Sequence, residues 1–350
     1  MVKTTTAAVA GVLSLCVCVL LAAGVQPAAA DAGGYGYGGK KSIEATVREV
    51  VEKAIKRRPA VGPALVRLVF HDCWVNGCDG SVLLEKTPYS SSTEKAAVNN
   101  IGLDGFDVID AIKAKLGAAV SCADIVVLAG RDASAILSRG RVTYDVATGR
   151  KDGVVSSAAA ADAVLPEPTF EFAQLKDNFA RKGFTQGELV ILSGAHSIGV
   201  AHLSSFQDRL NDSTATPIDD QYRAALSADV GRQKMSQNTP NPTEKNNIRD
   251  MGAAFQQAAG YDATGVDTSA VGALDNSYYH NNLQNRVLFK SDWVMRTDGD
   301  AASDLAEYRD NATKWDVDFS AAMSKLSKLP AEGTHFEIRK SCRCTNQNYY

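Results

Sequence analysis

The chain has 350 residues, 45% of them hydrophobic, with 37 Lys and Arg against 40 Asp and Glu, for a formal net charge of −3. That length supports one large core or two modest ones. The absence of any concentrated basic stretch argues against nucleic acid as a partner.

At the N-terminus, Lys3 precedes an apolar run from Ala7 to Val25 that ends in the small residues PAAADA. This is the n-region, h-region and cleavage-site pattern of a secretory signal peptide. It is expected over residues 1–30, leaving 31–350 as a single exported domain. A membrane anchor is the rival reading of a run this long, and no other stretch is apolar enough to span a bilayer. Cys16 and Cys18 leave with the signal. Cys73, Cys78, Cys122, Cys342 and Cys344 remain, and in an exported chain they are expected bridged rather than free, with one left over. Counting alone does not choose among the pairings. Asn211-Asp-Ser213 and Asn311-Ala-Thr313 are glycosylation sequons in such a chain.

After a glycine-rich lead-in, helix patterns dominate. Ile43, Val47, Val50, Val51, Ala54 and Ile55 form one apolar stripe, and Pro63 suits the start of the next helix. Further helical patterns run over Gly105–Leu116, Ala123–Leu137, Phe172–Arg181 and Asp304–Leu326. Thr185 and Glu188 have the spacing of a capping box opening the helix that carries LVILSG. Strand signals are few, and RVTYDVATG (Arg141–Gly149) is the best of them. Loops are expected at Tyr89–Glu94, Ser156–Pro168 and Asn238–Asn246. The fold class is all-α.

The densest chemistry lies in RLVFHDCWVNGCDGS, Arg67 to Ser81. Arg67 and His71 are four apart and share a helix face. They read either as an Arg–His pair at a helix end, or as a base beside a fixed positive charge that stabilises a developing anion. Asp72, Asp79 and Ser81, with carbonyls from the turn through Val75 and Gly77, offer the oxygen ligands that suit Ca²⁺. A zinc site competes for Cys73, Cys78, His71 and the aspartates. An oxidising compartment and the lack of a second Cys–His pair count against it. A Cys73 nucleophile paired with His71 is weaker still, because neighbours two apart on a helix diverge.

With LVILSGAHSIGVAHLSSFQDRLN (Leu189–Asn211) in view, the chain closely resembles the secreted plant haem peroxidases, class III. Supporting matches are VSCADI, GRKDG, LPEP, LDNSYY, FKSD and EIRKSCR, in family order from about residue 42 to 343. The resemblance implies an all-helical peroxidase fold with haem b between two helical halves. It implies His196 as the axial iron ligand, with Asp292 accepting from its other ring nitrogen. On the distal side it implies His71 as acid–base, Arg67 as charge stabiliser and Asn100 as the residue orienting His71. His202 also lies in this helix region but, six residues after His196, faces elsewhere.

Phe70 takes the place of the tryptophan of the intracellular, ascorbate-type class, and Pro166 would lie near donor access at the haem edge. Hydrogen peroxide and small aromatic donors follow as substrates, the donors oxidised in two one-electron steps. The resemblance also implies a monomer, secreted to the cell wall or a vacuole. Two Ca²⁺ ions are implied. The distal one is held by Asp72, Val75, Gly77, Asp79 and Ser81, with Glu94 linked through water. The proximal one is held by Ser197, Asp267, Ala270 and Asp275.

Of the four disulfides usual in the family, Cys73–Cys78 and Cys122–Cys342 are implied, and Cys344 is spare. The other two lack both partners, including the bridge that would start at Leu203. Ala270 stands where a threonine is usual. IGLDGF after Asn100 is one residue short, with Asp104 where arginine is common, which bears on how Asn100 is held. The rival function is a non-enzymatic extracellular binding protein on the same fold. A calcium-stabilised hydrolase lacks any nucleophile–base motif such as G-x-S-x-G.

Overall fold

A computed structural model describes residues 39–348 apart from 88–91, 212–214 and 238. The expected signal segment 1–30 lies outside the described residues, as do Asp212 and Ser213 of the first sequon and Tyr89, Ser90 and Ser91 of the loop expected at Tyr89–Glu94. The described chain is helical, as expected. In chain order the helices are α1 (Gly39–Arg57), α2 (Val61–Asn76), α3 (Phe106–Leu116), α4 (Cys122–Leu137), α5 (Ala158–Val164), α6 (Phe172–Arg181) and α7 (Gln186–Ser193). They continue with α8 (Gln207–Asn211), α9 (Asp220–Gln237), α10 (Ala253–Ala258), α11 (Ser277–Leu283), α12 (Lys290–Trp293), α13 (Gly299–Asp310) and α14 (Ala312–Leu326).

The apolar stripe of α1 is buried against α3 and α4. α2 crosses α4 at Gly130, where a Cβ would lie 2.2 Å from Val69 Cγ2. Any larger residue there would push the helix carrying Arg67 and His71 off its support. A second half forms from α7 and α11–α14, with α7 on α14 and α11 on α13. Thr185 caps α7 as its spacing predicts: its side chain accepts from Glu188 N, while the Glu188 carboxylate accepts from Thr185 N at 2.7 Å. A smaller apolar cluster, built on Phe206, Tyr222, Leu226 and Ile248, packs under α8–α10 and includes Leu203.

The motifs VSCADI, GRKDG and EIRKSCR converge in one buried node. Cys122 is bridged to Cys342, Arg150 Nη1 donates to Asp124 Oδ1 at 3.0 Å, and Asp152 Oδ2 accepts from Arg339 N at 2.8 Å.

Three expectations are corrected. RVTYDVATG is no strand. Val142, Val146 and Thr148 do alternate inward, but the amides of Val142, Thr143 and Gly149 donate to Ser138 Oγ, Ser320 Oγ and Asp124 Oδ2 instead of to a neighbouring strand. The long pattern Asp304–Leu326 is two helices, because Asn311 leaves the helical conformation and caps α14 by accepting from Lys314 N. His202 lies on a short strand, Val200–His202, paired antiparallel with Thr243–Lys245, and not on a continuation of the His196 helix. Long α9 drew no helical reading from the sequence, since its apolar residues are sparse.

Candidate active site

α2 is buried on one side by Leu65, Leu68 and Val69, while Arg67, Phe70 and His71 form a half-buried stripe on the other. Arg67 Nε donates to His71 Nε2 at 3.1 Å, and Arg67 Nη2 to the Asn99 carbonyl at 2.7 Å. His71 Nδ1 lies 2.5 Å from Asn100 Oδ1. Because Asn100 Nδ2 donates to the Glu94 carbonyl at 2.7 Å, its oxygen is turned to the ring, which fixes the proton on Nδ1. Burial first, and then the charge of Arg67, bring His71 down to about 3, against the opposing pull of Asn100. The imidazole is therefore neutral across the physiological range, with its Nε2 lone pair beside a guanidinium. Burial also lowers Arg67 to about 10, still charged at neutral pH.

The shortened loop after Asn100 does not loosen it. Asp104 pairs with Arg58, which also reaches Asp107 at 2.9 Å. The acidic residue thus finds a cation at the end of α1, and Asn100 is 2% exposed.

Across from this stripe, the turn Gly194–Ser197 that follows α7 carries His196. Its Nδ1 donates to Asp292 Oδ1 at 2.8 Å, and Tyr278 OH donates to the same oxygen at 3.0 Å. Burial disfavours a charge on His196, but Asp292 outweighs it and raises the ring's pKa, while Arg67 acts in the opposite direction. Arg67 thus lies near enough for its charge to act on the His196 ring. The His196 side chain keeps 39% exposure while its partner Asp292 keeps 3%. Nε2 has no hydrogen-bond partner among the described residues. An imidazole with one nitrogen anchored to a carboxylate and the other open is what an iron ligand requires, so these residues fit a haem between the halves. Pro166 is half-buried in the loop between α5 and α6. That loop is tied to α12, which carries Asp292, by Ser291 N donating to the Pro168 carbonyl. Phe70 stacks on Trp74 with centroids 4.6 Å apart, and Trp74 Nε1 donates to Asn178.

Behind His71, the chain turns sharply at Gly77 (φ 77°), where a Cβ would overlap the Pro330 carbonyl. Cys73 and Cys78 are bridged across this turn. Asp72, Asp79, Ser81 and Glu94 are all buried around it. Asp72 Oδ2 accepts from Gly80 N and Asp79 Oδ1 from Ser81 N, at 3.0 and 2.9 Å. Ser81 Oγ and Glu94 Oε2 are buried without a partner. Burial and the nearby charge of Asp79 push Asp72 up to about 8, and burial pushes Asp79 up to about 6. Glu94 is raised too, by burial and by Asp79. Crowded carboxylates with orphaned oxygens beside them are short of a cation, and this oxygen set fits Ca²⁺. The Val75 carbonyl already accepts from Lys182 Nζ at 3.1 Å, which leaves it one lone pair.

The proximal set does not assemble as expected. Asp267 is exposed and its carboxylate accepts from Ser269 N and Oγ. Ala270 is buried and offers no side-chain oxygen. Asp275 and the Ser197 carbonyl are both engaged by Arg249. Arg249 and Tyr278 were not singled out from the sequence. Tyr278 lay inside a quoted motif, and the acidic neighbour of Arg249 and the missing hydroxyl at Ala270 were the available hints.

The peroxidase family model matches residues 47–311. Similar curated proteins include Peroxidase 2 of Zea mays, 39% identical over 87% of this chain and 85% of that protein, and Peroxidase 5 of Vitis vinifera, 38% identical over 87% and 88%. Peroxidase 3 of Arabidopsis thaliana is 34% identical over 87% of this chain and 89% of its own length. With a family model matched over most of its length and such relatives along nearly all of it, the chain belongs to the plant peroxidase family, as a peroxidase of the class III type.

Proposed function

We propose that the protein uses haem b and hydrogen peroxide to oxidise small phenolic donors in two one-electron steps, as a monomer exported to the cell wall. The observation that carries this reading is the pairing of two differently held histidines. His71 is neutral, with Nδ1 tied to Asn100 and Nε2 beside Arg67. His196 is tied to Asp292 with Nε2 open. Haem b, when bound, supplies the redox-active iron, with His196 as its protein ligand.

His71 Nε2 accepts a proton from peroxide and returns it to the departing oxygen, so that one group serves as base and then as acid. Arg67 stabilises the negative charge that builds on that oxygen. Asn100 holds the ring so that Nε2 stays unprotonated between turnovers. Asp292 increases the basicity of the His196 ring, and Tyr278 orients Asp292. Asp72, Asp79, Ser81 and the carbonyls of Val75 and Gly77 would hold a distal Ca²⁺ that pins the end of α2. Phe70 in place of tryptophan, and the donor loop at Pro166, favour phenols over ascorbate. The two disulfides support folding in an oxidising compartment. No helix among the described residues is long and apolar enough to cross a membrane.

The test is competitive turnover of the purified holoprotein with guaiacol and ascorbate, each with hydrogen peroxide. The expected result is fast guaiacol oxidation with ascorbate a poor donor. Rapid ascorbate turnover with guaiacol inert would overturn the donor assignment.

A further inference from the structure

Arg249 sits on the short turn Ile248–Asp250 with its side chain fully buried. Two of the residues its guanidinium holds, Asp275 and Ser197, are ones that the family resemblance assigns to a second calcium ion. Nη1 donates to Asp275 Oδ2 at 2.6 Å and to Ser277 Oγ at 2.9 Å. Nη2 donates to the Ala273 carbonyl at 2.9 Å and to the Ser197 carbonyl at 3.4 Å. Nε donates to Asp250 Oδ1 at 3.0 Å. All five guanidinium donors are thereby used.

We propose that Arg249 is a built-in cation standing where the proximal calcium ion was expected, so that the protein binds one Ca²⁺ per chain and not two. The oxygens of Asp275 and the Ser197 carbonyl are already engaged. Asp275 Oδ1 accepts from Ser277 N and Oγ, and its other oxygen is held by Arg249. The Ser197 carbonyl accepts from Asn247 Nδ2 as well as from Arg249. A calcium ion on these atoms would need to displace them and sit against a buried positive charge. Burial works against the charge on the guanidinium, but Asp275 and Asp250 outweigh it and raise its pKa. The arrangement fits the loss of the hydroxyl at Ala270 and the exposed Asp267. It also serves the catalytic half directly, because Ser197 follows His196 in the same turn. The iron ligand is braced by a covalently attached cation that no chelator removes.

The inference rests on the calcium reading of the distal loop only for the one remaining ion. Calcium and haem are counted by plasma mass spectrometry on the same purified holoprotein after dialysis against calcium-free buffer. One calcium per haem is expected in the wild type, none in Asp79→Asn, and still one in Asp275→Asn. Two calcium ions per haem in the wild type would overturn the proposal, and so would loss of the single ion in Asp275→Asn with retention in Asp79→Asn. A wild-type count of zero supports the role of Arg249 and rejects the distal calcium instead, so the two readings fail separately. If Asp275→Asn does not fold, the wild-type and Asp79→Asn counts decide together: one and none support the proposal, one and one overturn it.

Discussion

His71 shows how a single side chain is set by its neighbours. Burial and Arg67 bring it down to about 3, so it is neutral and able to accept a proton at every pH above that. The reaction with peroxide should be flat in pH from neutrality down towards pH 4 and fall below it, as followed by stopped-flow absorbance. The same depression acts on stability. The unfolded chain takes up this proton near the ordinary value of 6.5, and the folded chain only near 3. The contribution is therefore full above 6.5 and is lost as pH falls towards 3. His71→Leu should slow the peroxide step by ~10²–10⁴-fold, the usual worth of a positioned acid–base group. On the other side, Asp292→Asn should cost ~10–100-fold in activity, as expected of a partner that orients a metal ligand. Phe at Tyr278 should produce a smaller change in the same direction.

At the scale of elements, the calcium proposed for the loop from Gly77 to Ser81 would couple metal binding to the end of α2. Without calcium, Asp72 and Asp79 take up protons, because their folded pKa values lie at about 8 and about 6, above the ordinary carboxylate value. Stability of the stripped protein should then fall as pH rises from about 4 to 8, since the folded state holds protons that the unfolded state has released. The calcium-loaded protein should not share this fall. Melting curves with and without EGTA should diverge little near pH 5 and widely near pH 8.

Much of this loop was legible in the sequence, because its proposed ligands, its cysteines and the Arg67–His71 pair are all local. What was not legible depends on distant partners. RVTYDVATG has a strand's alternation but meets side chains of other segments instead of a strand. The break at Asn311 is invisible to apolar periodicity alone. Arg249 stands in a stretch without periodic pattern, and only the fold brings it to Asp275.

Over the whole molecule, packing stands where cross-links are missing. Leu203, where a bridge would begin, is 3% exposed within the cluster of Phe206, Tyr222 and Leu226. Leu203→Ala should destabilise by ~2–5 kcal/mol in chemical denaturation, the cost of a buried cavity. Opening Cys122–Cys342, which joins residues 220 apart, should cost a comparable ~2–5 kcal/mol.

The measurement that tests the account most directly is an absorption spectrum of the purified holoprotein before and after one equivalent of hydrogen peroxide, followed by guaiacol. The expected result is a Soret band that shifts with peroxide and returns with guaiacol, while His71→Leu responds far more slowly. A haem band that peroxide leaves unmoved in the wild type would contradict the roles given to His71 and Arg67.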